Sequence, residues 1–283
     1  MCYNVPVSAI ISILSFVFGT IIGSFLNVVI LRYHTGLSVW GGGLAPYPSG
    51  ARGAGSFCFS CGHKLSACDL VPVFSFLFLG GRCRYCKSKI SWQYPIVEIL
   101  TGLVFLSVVL KFSNLLLFPY IIYSVFYILA FCFLIFISVY DFHHKIIPER
   151  PVWIFVILAL LGSLFLQVYG ANEAISYQLR ALLAGPLMAA PFFILWAVSR
   201  GRWMGLGDAK LALGLGFLLG SSGAITALFL SFILGALVSV FLLIFRGRRF
   251  TMKSEIPFGP FLVVASFLVF IFNLNLPNLW LVA

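Results

Sequence analysis

Residues 115–140 read LLLFPYIIYSVFYILAFCFLIFISVY and contain no Asp, Glu, Lys or Arg before the chain reaches Asp141. A helix that crosses the hydrocarbon core of a bilayer needs about 20 apolar residues, so this run is long enough to cross it. The whole chain has the same character, since 62% of its 283 residues are hydrophobic and 9% are charged. Soluble domains carry about 25% charged residues, so this composition excludes a water-soluble globular protein.

Seven further apolar runs indicate that the chain crosses the membrane repeatedly. Backbone N–H and C=O groups in lipid must be hydrogen bonded within the protein, and a helix achieves this within one segment. The sequence therefore predicts an all-α polytopic membrane protein with about eight transmembrane helices. The eight predicted segments are 7–31, 94–110, 115–140, 152–169, 178–199, 208–220, 223–245 and 258–281.

Small and polar residues inside these segments predict how the helices pack. Gly220-Ser221-Ser222-Gly223 is rich in turn formers and is predicted to separate the sixth and seventh helices. Gly214, Gly216 and Gly220 are predicted to let the sixth helix approach a neighbour closely. Asn27 is a polar side chain in the apolar first segment and is predicted to hydrogen bond a neighbouring helix.

The distribution of basic residues predicts the orientation of the chain, because Lys and Arg accumulate in cytoplasmic loops. With the N-terminus outside, 16 of the 18 Lys and Arg residues lie in cytoplasmic segments, and only Lys111 and Arg180 lie outside. The formal net charge of +11 is then expected to face anionic lipid rather than nucleic acid. The same topology places Asp141 and Asp208 at the cytoplasmic face.

One long polar loop interrupts the apolar sequence. The chain is therefore predicted to have three parts: a first transmembrane helix at 1–31, the cytoplasmic loop at 32–93 and a transmembrane domain at 94–283. The loop contains two C-x-x-C pairs with 21 residues between them, and the four cysteines are Cys58, Cys61, Cys83 and Cys86.

Two such pairs at this separation are typical of a structural zinc site, in which four thiolates surround the ion tetrahedrally. The alternative is a pair of disulfides or four unused thiols, which a reducing cytosol disfavours. A zinc knuckle that binds nucleic acid is a weaker alternative, because the loop is short and is tethered between two membrane segments.

Two aspartates lie at the predicted cytoplasmic ends of apolar segments. Asp141 ends the third segment, and Asp208 begins the sixth. Ionisable residues at membrane depth are costly, which makes both candidates for function. When two carboxylates share one proton, one can act as a base that activates water, and the other can polarise a scissile carbonyl. In the alternative interpretation, each aspartate caps a helix or balances a nearby lysine, Lys145 or Lys210.

Two glycines precede the second aspartate in Gly205-Leu206-Gly207-Asp208. Glycine lets backbone approach an extended peptide substrate closely. Gly205 and Gly207 are therefore interpreted as supporting backbone, and Gly207 is expected to adopt φ/ψ angles that other residues avoid.

The chain resembles the type IV prepilin peptidases, which are membrane aspartic proteases of the Gly-x-Gly-Asp type, and the likeness covers almost its whole length. The matching motifs are Gly23-Ser-Phe-Leu-Asn-Val-Val29, Asp69-Leu-Val-Pro-Val73, Gly81-Arg-Cys-Arg-Tyr-Cys86, Ile90-Ser-Trp-Gln-Tyr-Pro95 through Glu98, Asp141 through Pro148, Gly205 through Leu211, and Ile256-Pro-Phe-Gly-Pro-Phe261. Where the family commonly has Asp after the Ile-Pro of its first catalytic motif, this chain has Glu149.

The resemblance implies a bacterial inner-membrane enzyme that acts on prepilins and type II secretion pseudopilins. It implies cleavage at the cytoplasmic face, after a glycine that ends a short basic leader, with Asp141 and Asp208 as the catalytic pair. Many family members then methylate the new N-terminal residue with S-adenosylmethionine. Glu98 and Asp69 are the nearest acids able to receive a positively charged amine or sulfonium and are assigned to the cofactor site. For Glu98 a structural role is an equal alternative, because a helix N-terminus favours an acid.

Other classes of protein share parts of this pattern. A transporter also places acids in its helices, but it does not need paired C-x-x-C motifs. An assembly scaffold with a zinc-folded loop needs no catalytic aspartate, so it predicts that an Asp141→Asn variant still supports assembly. Presenilin-like proteases share the Tyr140-Asp141 and Gly-x-Gly-Asp patterns, but they lack the four-cysteine loop.

Overall fold

A computed structural model describes residues 5–35, 56–112, 118–169, 175–245 and 256–275. These residues form helices and loops with no β-strand, which confirms the predicted all-α class. The helices are α1 Val5–Thr35, α2 Phe74–Phe78, α3 Gln93–Lys111, α4 Phe118–His144, α5 Glu149–Tyr169, α6 Ile175–Ser199, α7 Leu206–Phe245 and α8 Gly259–Phe272, with a single 3₁₀ turn at Ala67–Asp69.

Five helices in the described residues are long and apolar enough to cross a bilayer, namely α1, α3, α4, α6 and α7. The chain is therefore a multi-span membrane protein. Helix α7 has 40 residues, which corresponds to about 60 Å at 1.5 Å per residue, twice the thickness of a hydrocarbon core. It is interrupted at Gly220, which has φ 73° and ψ 175°, so a break lies where the sequence predicts a turn.

The last predicted segment is shorter in the structure than in the sequence interpretation. The sequence predicts a helix over 258–281, whereas α8 ends at Phe272 after 14 residues. Asn273 ends it in the left-handed conformation, with φ 50° and ψ 41°, and its N–H donates to the Val269 carbonyl. This cap stops the helix although apolar residues follow, and residues 276–283 lie outside the described part of the chain.

The chain forms two compact units, residues 1–115 and 116–283. In the first unit α1 packs against α3, and the Asn27 amide donates a hydrogen bond to the Tyr94 carbonyl at 3.2 Å. This contact confirms that Asn27 bonds a neighbouring helix. The prediction of three parts, with boundaries at 31 and 93, concerns the order along the sequence and stays a prediction.

In the second unit α7 packs against α5, α6 and α8, and α4 packs against α5 and α8. A side chain at Gly216 would collide with the backbone of Ala184 and Gly185 in α6, which confirms close packing at that glycine. Gly220 was predicted to pack in the same way, but a side chain there would meet nothing within 4 Å. Its positive φ instead makes it the break in α7.

Candidate active site and metal centre

Asp141 is buried near the end of α4. The residue is 4% exposed, and its Oδ2 atom has no hydrogen-bond partner among the described residues. The backbone of Gly259, at the start of α8, lies beside the same carboxylate, since a Cβ there would be 2.6 Å from Oδ2. A buried polar atom without a partner is unfavourable, so such atoms in native proteins are candidates for function.

Asp208 lies in the first turn of α7 and is partly buried. Its carboxylate interacts electrostatically with that of Asp141, although 66 residues separate the two along the chain. The two aspartates that the sequence selects therefore lie within electrostatic range of each other. Their catalytic role stays a prediction, which the geometry makes chemically reasonable, because close carboxylates can share one proton.

The ammonium group of Lys210 is engaged by a different acid. Its Nζ lies 2.6 Å from Glu149 Oε1 and 5.5 Å from the centre of the Trp153 ring. The interpretation in which Lys210 merely balances Asp208 therefore loses its support. The contact also gives Glu149, which departs from the family's usual Asp, a role in joining the start of α5 to α7.

The two glycines before Asp208 differ in what surrounds them. Gly207 lies inside α7, and it is not among the glycines with positive φ. The expectation of unusual backbone angles at Gly207 is therefore wrong. It has no side chain because a Cβ there would lie 2.8 Å from the Cβ of Ile147. A Cβ on Gly205 would have its nearest neighbour, Asp208 Oδ2, at 3.8 Å, which is an ordinary contact.

This difference predicts unequal effects of the same substitution. Gly207→Ala is expected to destabilise the second unit by about 1–3 kcal/mol, since overpacking forces backbone apart. It should also lower any activity that depends on Asp208 at least about tenfold, because small displacements of reacting groups are costly. Gly205→Ala is the matched control, expected to change stability by no more than about 0.5 kcal/mol. Thermal unfolding in detergent measures the stability of both variants. Equal losses of stability for Gly207→Ala and Gly205→Ala would contradict this prediction.

The four predicted cysteines form one cluster in the first unit. Their Sγ atoms all lie within 4.8 Å of one another, and Cys58 and Cys86 are 3.8 Å apart. Four thiolates at about 2.3 Å from one zinc ion have sulfur atoms about 3.8 Å apart in tetrahedral geometry, so the cluster fits this ion. All four thiols are free rather than disulfide bonded.

Local backbone geometry aims the thiols at a common point. Gly62 and Lys87 each follow a C-x-x-C pair, have φ of 70° and 59°, and donate backbone hydrogen bonds to the carbonyls of Cys58 and Cys83. The Ser88 hydroxyl lies 3.1 Å from the Cys86 sulfur. Hydrogen bonds from the side chain and backbone of Ser88 lower the pKa of the Cys86 thiol to about 6.

A cavity of about 340 Å³ lies in the same unit, and both acids assigned to the cofactor site line it. Glu98 is 6% exposed, and its Oε2 accepts a hydrogen bond of 2.7 Å from the Val73 N–H. Val73 has φ 62°, an unfavourable angle for a β-branched residue, so this bond holds a strained turn. Ser24 of α1 lines the same cavity as Glu98.

Asp69, which also lines the cavity, is held by hydrogen bonds to its neighbours. It accepts hydrogen bonds from the N–H and hydroxyl of Ser66, at 3.1 and 2.8 Å, and its Oδ1 lies 2.6 Å from Arg84 Nε. The bond from the Ser66 hydroxyl, helped by the Arg84 guanidinium, lowers the pKa of Asp69 to about 2. The carboxylate therefore stays ionised, and these contacts persist, until the pH falls toward that value.

The sequence analysis gave no role to three residues near these sites. Ile147 packs on Gly207, Ser88 lies next to Cys86 Sγ, and Gly259 lies beside Asp141. A hydroxyl two residues after a metal-binding cysteine is a local signal that could have identified Ser88. The other two contacts join segments far apart in the chain, so no local pattern indicates them.

Two aspartates brought together at the ends of helices in a multi-span, all-helical chain define a class of protein, the membrane-embedded aspartic peptidases. Residues 17–112 match the family model described as the bacterial peptidase A24 N-terminal domain. Residues 128–240 match the type IV leader peptidase family. The chain belongs to this family.

Curated relatives support the same assignment over most of the chain. The prepilin leader peptidase/N-methyltransferase of Bacillus subtilis (strain 168) is 31% identical over 263 residues, covering 91% of this chain and 93% of the relative. The protein of the same name from Xanthomonas campestris pv. campestris is 31% identical, covering 91% and 90%. That of Aeromonas hydrophila is 28% identical, covering 92% and 90%. No solved structure matches the chain at a significant level.

Proposed function

We propose that this protein is an aspartic endopeptidase that removes the leader from type IV prepilins and from pseudopilins, and that it then N-methylates the new N-terminal residue. The observation that supports the peptidase assignment is the electrostatic interaction between the carboxylates of Asp141 and Asp208, with the buried Oδ2 of Asp141 unpartnered among the described residues. The family membership and the names of the relatives support the substrate class and the second activity.

The proposed cleavage uses one proton shared by the two aspartates. The ionised carboxylate removes a proton from water as the water oxygen adds to the scissile carbonyl carbon, and the protonated partner donates its proton to the carbonyl oxygen. Collapse of the tetrahedral intermediate breaks the C–N bond: the partner carboxylate takes back a proton from a hydroxyl of the intermediate as the C=O bond re-forms, and the first carboxyl group gives its proton to the leaving amine. The reaction consumes water and leaves the pair with one proton, as at the start.

The proposed location is the bacterial inner membrane, with the N-terminus outside and the peptidase site facing the cytoplasm. The excess of Lys and Arg in the segments assigned to the cytoplasm supports this orientation. The basic leader of a prepilin remains in the cytoplasm, so both aspartates would lie on the side from which the leader is accessible. The partners proposed are prepilin and pseudopilin precursors and membrane lipid, without nucleic acid.

The cysteine cluster is proposed to hold one structural zinc ion through the sulfur atoms of Cys58, Cys61, Cys83 and Cys86. Its position in the polar loop indicates a folding role for the ion. The cavity beside it is the proposed site of methyl transfer, for which S-adenosylmethionine would supply the methyl group. Glu98 and Asp69 line that cavity and would offset the positive charge of the amine or the sulfonium.

Mass spectrometry of a co-expressed prepilin tests both activities at once, because leader removal and methylation are separate mass changes. Peptidase activity without a methyl group would support the alternative of a leader peptidase alone. An intact precursor would contradict the proposed function and would favour the scaffold or transporter classes. Uptake that survives loss of both aspartates would then distinguish the transporter from the scaffold.

A substitution at Glu98 separates the two activities. Glu98→Gln removes the charge but retains an oxygen that can accept the Val73 N–H, so the strained turn stays tied to α3. Methylation of a mature substrate peptide is expected to fall at least about tenfold, since a charge-assisted bond is worth more than a neutral one. Leader cleavage should stay close to the wild-type rate.

The control for this prediction is Glu98→Ala, which removes both the charge and the acceptor. It is expected to loosen the turn at Val73 and to affect methylation more strongly than Glu98→Gln does. If Glu98→Gln abolishes proteolysis while mature substrate is still methylated, Glu98 belongs to the peptidase and the assignment is wrong.

A further inference from the structure

The motif Ile256-Pro257-Phe258-Gly259-Pro260-Phe261 contains a glycine that has no room for a side chain. A Cβ on Gly259 would lie 2.6 Å from Asp141 Oδ2, 3.4 Å from its Cγ and 3.7 Å from its Cβ. Non-bonded carbon and oxygen atoms do not approach to 2.6 Å without a clash. Gly259 is not among the residues with positive φ, so the space beside Asp141, and not the backbone angle, requires glycine.

The backbone of Gly259 also contacts the carboxylate. Gly259 is the first residue of α8, where N–H groups have no acceptor within the helix. Its backbone lies against the Asp141 carboxylate, since a Cβ on Gly259 would be 2.6 Å from Oδ2. Gly259 therefore limits the space that the Asp141 carboxyl group can occupy.

Aromatic contacts hold Gly259 in place. The ring of Phe258 lies 5.7 Å from that of Phe192 in α6 and 5.1 Å from that of Phe232 in α7. These distances are typical of stabilising ring pairs. The start of α8 is therefore fixed against two other helices and has little freedom to move away from Asp141.

Aromatic contacts also hold α4 against α8. The ring of Phe131 lies 5.2 Å from the rings of both Phe267 and Phe270, and the ring of Tyr127 lies 4.3 Å from that of Phe270. Because both helices are fixed, an added methyl group at position 259 must displace the Asp141 side chain itself.

We infer that Gly259 is a positioning residue of the peptidase site, which leaves the Asp141 carboxyl group the space it occupies and so fixes its position near Asp208. The inference rests on the proposed function, since it concerns how the aspartate pair of that peptidase is held. Gly259 contacts Asp141 and acts through it, so it is not itself a catalytic residue.

Kinetics of the variant Gly259→Ala test the inference. The kcat for prepilin cleavage is expected to fall about 100-fold, since a displacement of about 1 Å in a reacting group has this effect. The KM for the prepilin should stay within about threefold, because substrate binding is not the interaction removed. Gly235→Ala is the matched control in the same unit, since a Cβ there would have its nearest neighbour, Phe261 Cδ2, at an ordinary 3.6 Å. Equal kcat values for Gly259→Ala and the wild type would overturn the inference.

A stability cycle provides a second test that needs no activity and applies even if Gly259→Ala folds poorly. The variants are Gly259→Ala, Asp141→Ala and the double variant, compared by thermal unfolding in detergent. Gly259→Ala is expected to lower the unfolding temperature in the wild-type background and to have little effect in the Asp141→Ala background, where the colliding atoms are absent. An equal loss in both backgrounds would show that Asp141 is not what the methyl group meets.

The same experiments separate this inference from the proposed function. If the wild-type protein cleaves prepilin and Gly259→Ala cleaves it equally well, the inference fails and the function stands. If the wild-type protein cleaves no prepilin but the stability cycle shows coupling, the function fails and the contact between Gly259 and Asp141 stands.

Discussion

Asp141→Asn and Asp208→Asn are each expected to reduce leader cleavage about 1,000-fold or more, with the protein still inserted in the membrane. An amide can neither take a proton from water nor share one with the other carboxyl group, and general acid–base catalysis contributes roughly 10²–10⁴-fold. The two losses should not add, because either change removes the same shared-proton pair. Initial rates of cleavage of a purified prepilin in detergent measure the effect.

Glu149→Gln is the matched control for these variants. It makes the same acid-to-amide change in the same compact unit, but its carboxylate pairs with Lys210 and its side chain is 72% exposed. Exposed ion pairs contribute about 0–1 kcal/mol, so this variant should cleave at nearly the wild-type rate. If both aspartate variants retain more than a few per cent of activity, the catalytic pair is wrongly assigned.

The shared proton also predicts how cleavage depends on pH. The reaction needs one ionised and one protonated carboxyl group, so its rate should fall at high pH, where both groups ionise. The dependence of kcat/KM on pH, measured with a substrate that has no ionisable group in that range, tests this expectation. A rate that stays level at high pH would argue against a proton shared by the two aspartates.

Loss of the metal site is expected to have the largest effect on folding. Replacing Cys58 and Cys61 together by Ser, or adding a strong chelator, should unfold the loop of the first unit, since structural zinc contributes apparent binding free energies of about 10–16 kcal/mol in small zinc-binding peptides. The helices of the second unit should remain folded, because each satisfies its own backbone hydrogen bonds. Hydrogen exchange measured along the chain tests this: the amides of the loop should lose protection, and those of the helices in the second unit should keep it.

Cys68→Ser is the matched control for the cysteine variants. Cys68 is an exposed free cysteine in the same loop and is not part of the cluster. This variant should keep the zinc content and the loop protection of the wild-type protein. If metal analysis finds no zinc in the purified wild-type protein and all four cluster thiols react freely, the zinc assignment is wrong.

Much of this architecture could be predicted from the sequence because its causes act within short segments. Apolar runs of about 20 residues must form helices in a bilayer, which is why α1, α3, α4, α6 and α7 lie where their composition places them. Paired C-x-x-C motifs place four thiols on two tight turns, so their spacing alone predicts the cluster. Gly220 likewise breaks α7 at the predicted turn, since glycine readily adopts positive φ.

The end of α8 shows where local composition is insufficient. The apolar sequence continues past Phe272, but Asn273 adopts the left-handed conformation and stops the helix. Hydrophobicity predicts that a segment prefers lipid or a core, and it carries little information about which residue caps the helix.

What only the tertiary structure decided is which distant residues meet at the sites. The sequence selected Asp141 and Asp208, but the pairing of Lys210 with Glu149, the contact of Gly207 with Ile147 and the position of Gly259 beside Asp141 come from helix packing. These contacts join segments 60 to 118 residues apart along the chain. Residues so far apart in the sequence come into contact only when their helices pack. Packed interiors leave little free space, so the detailed packing of the helices decides which side chains touch, and residue type and local spacing do not.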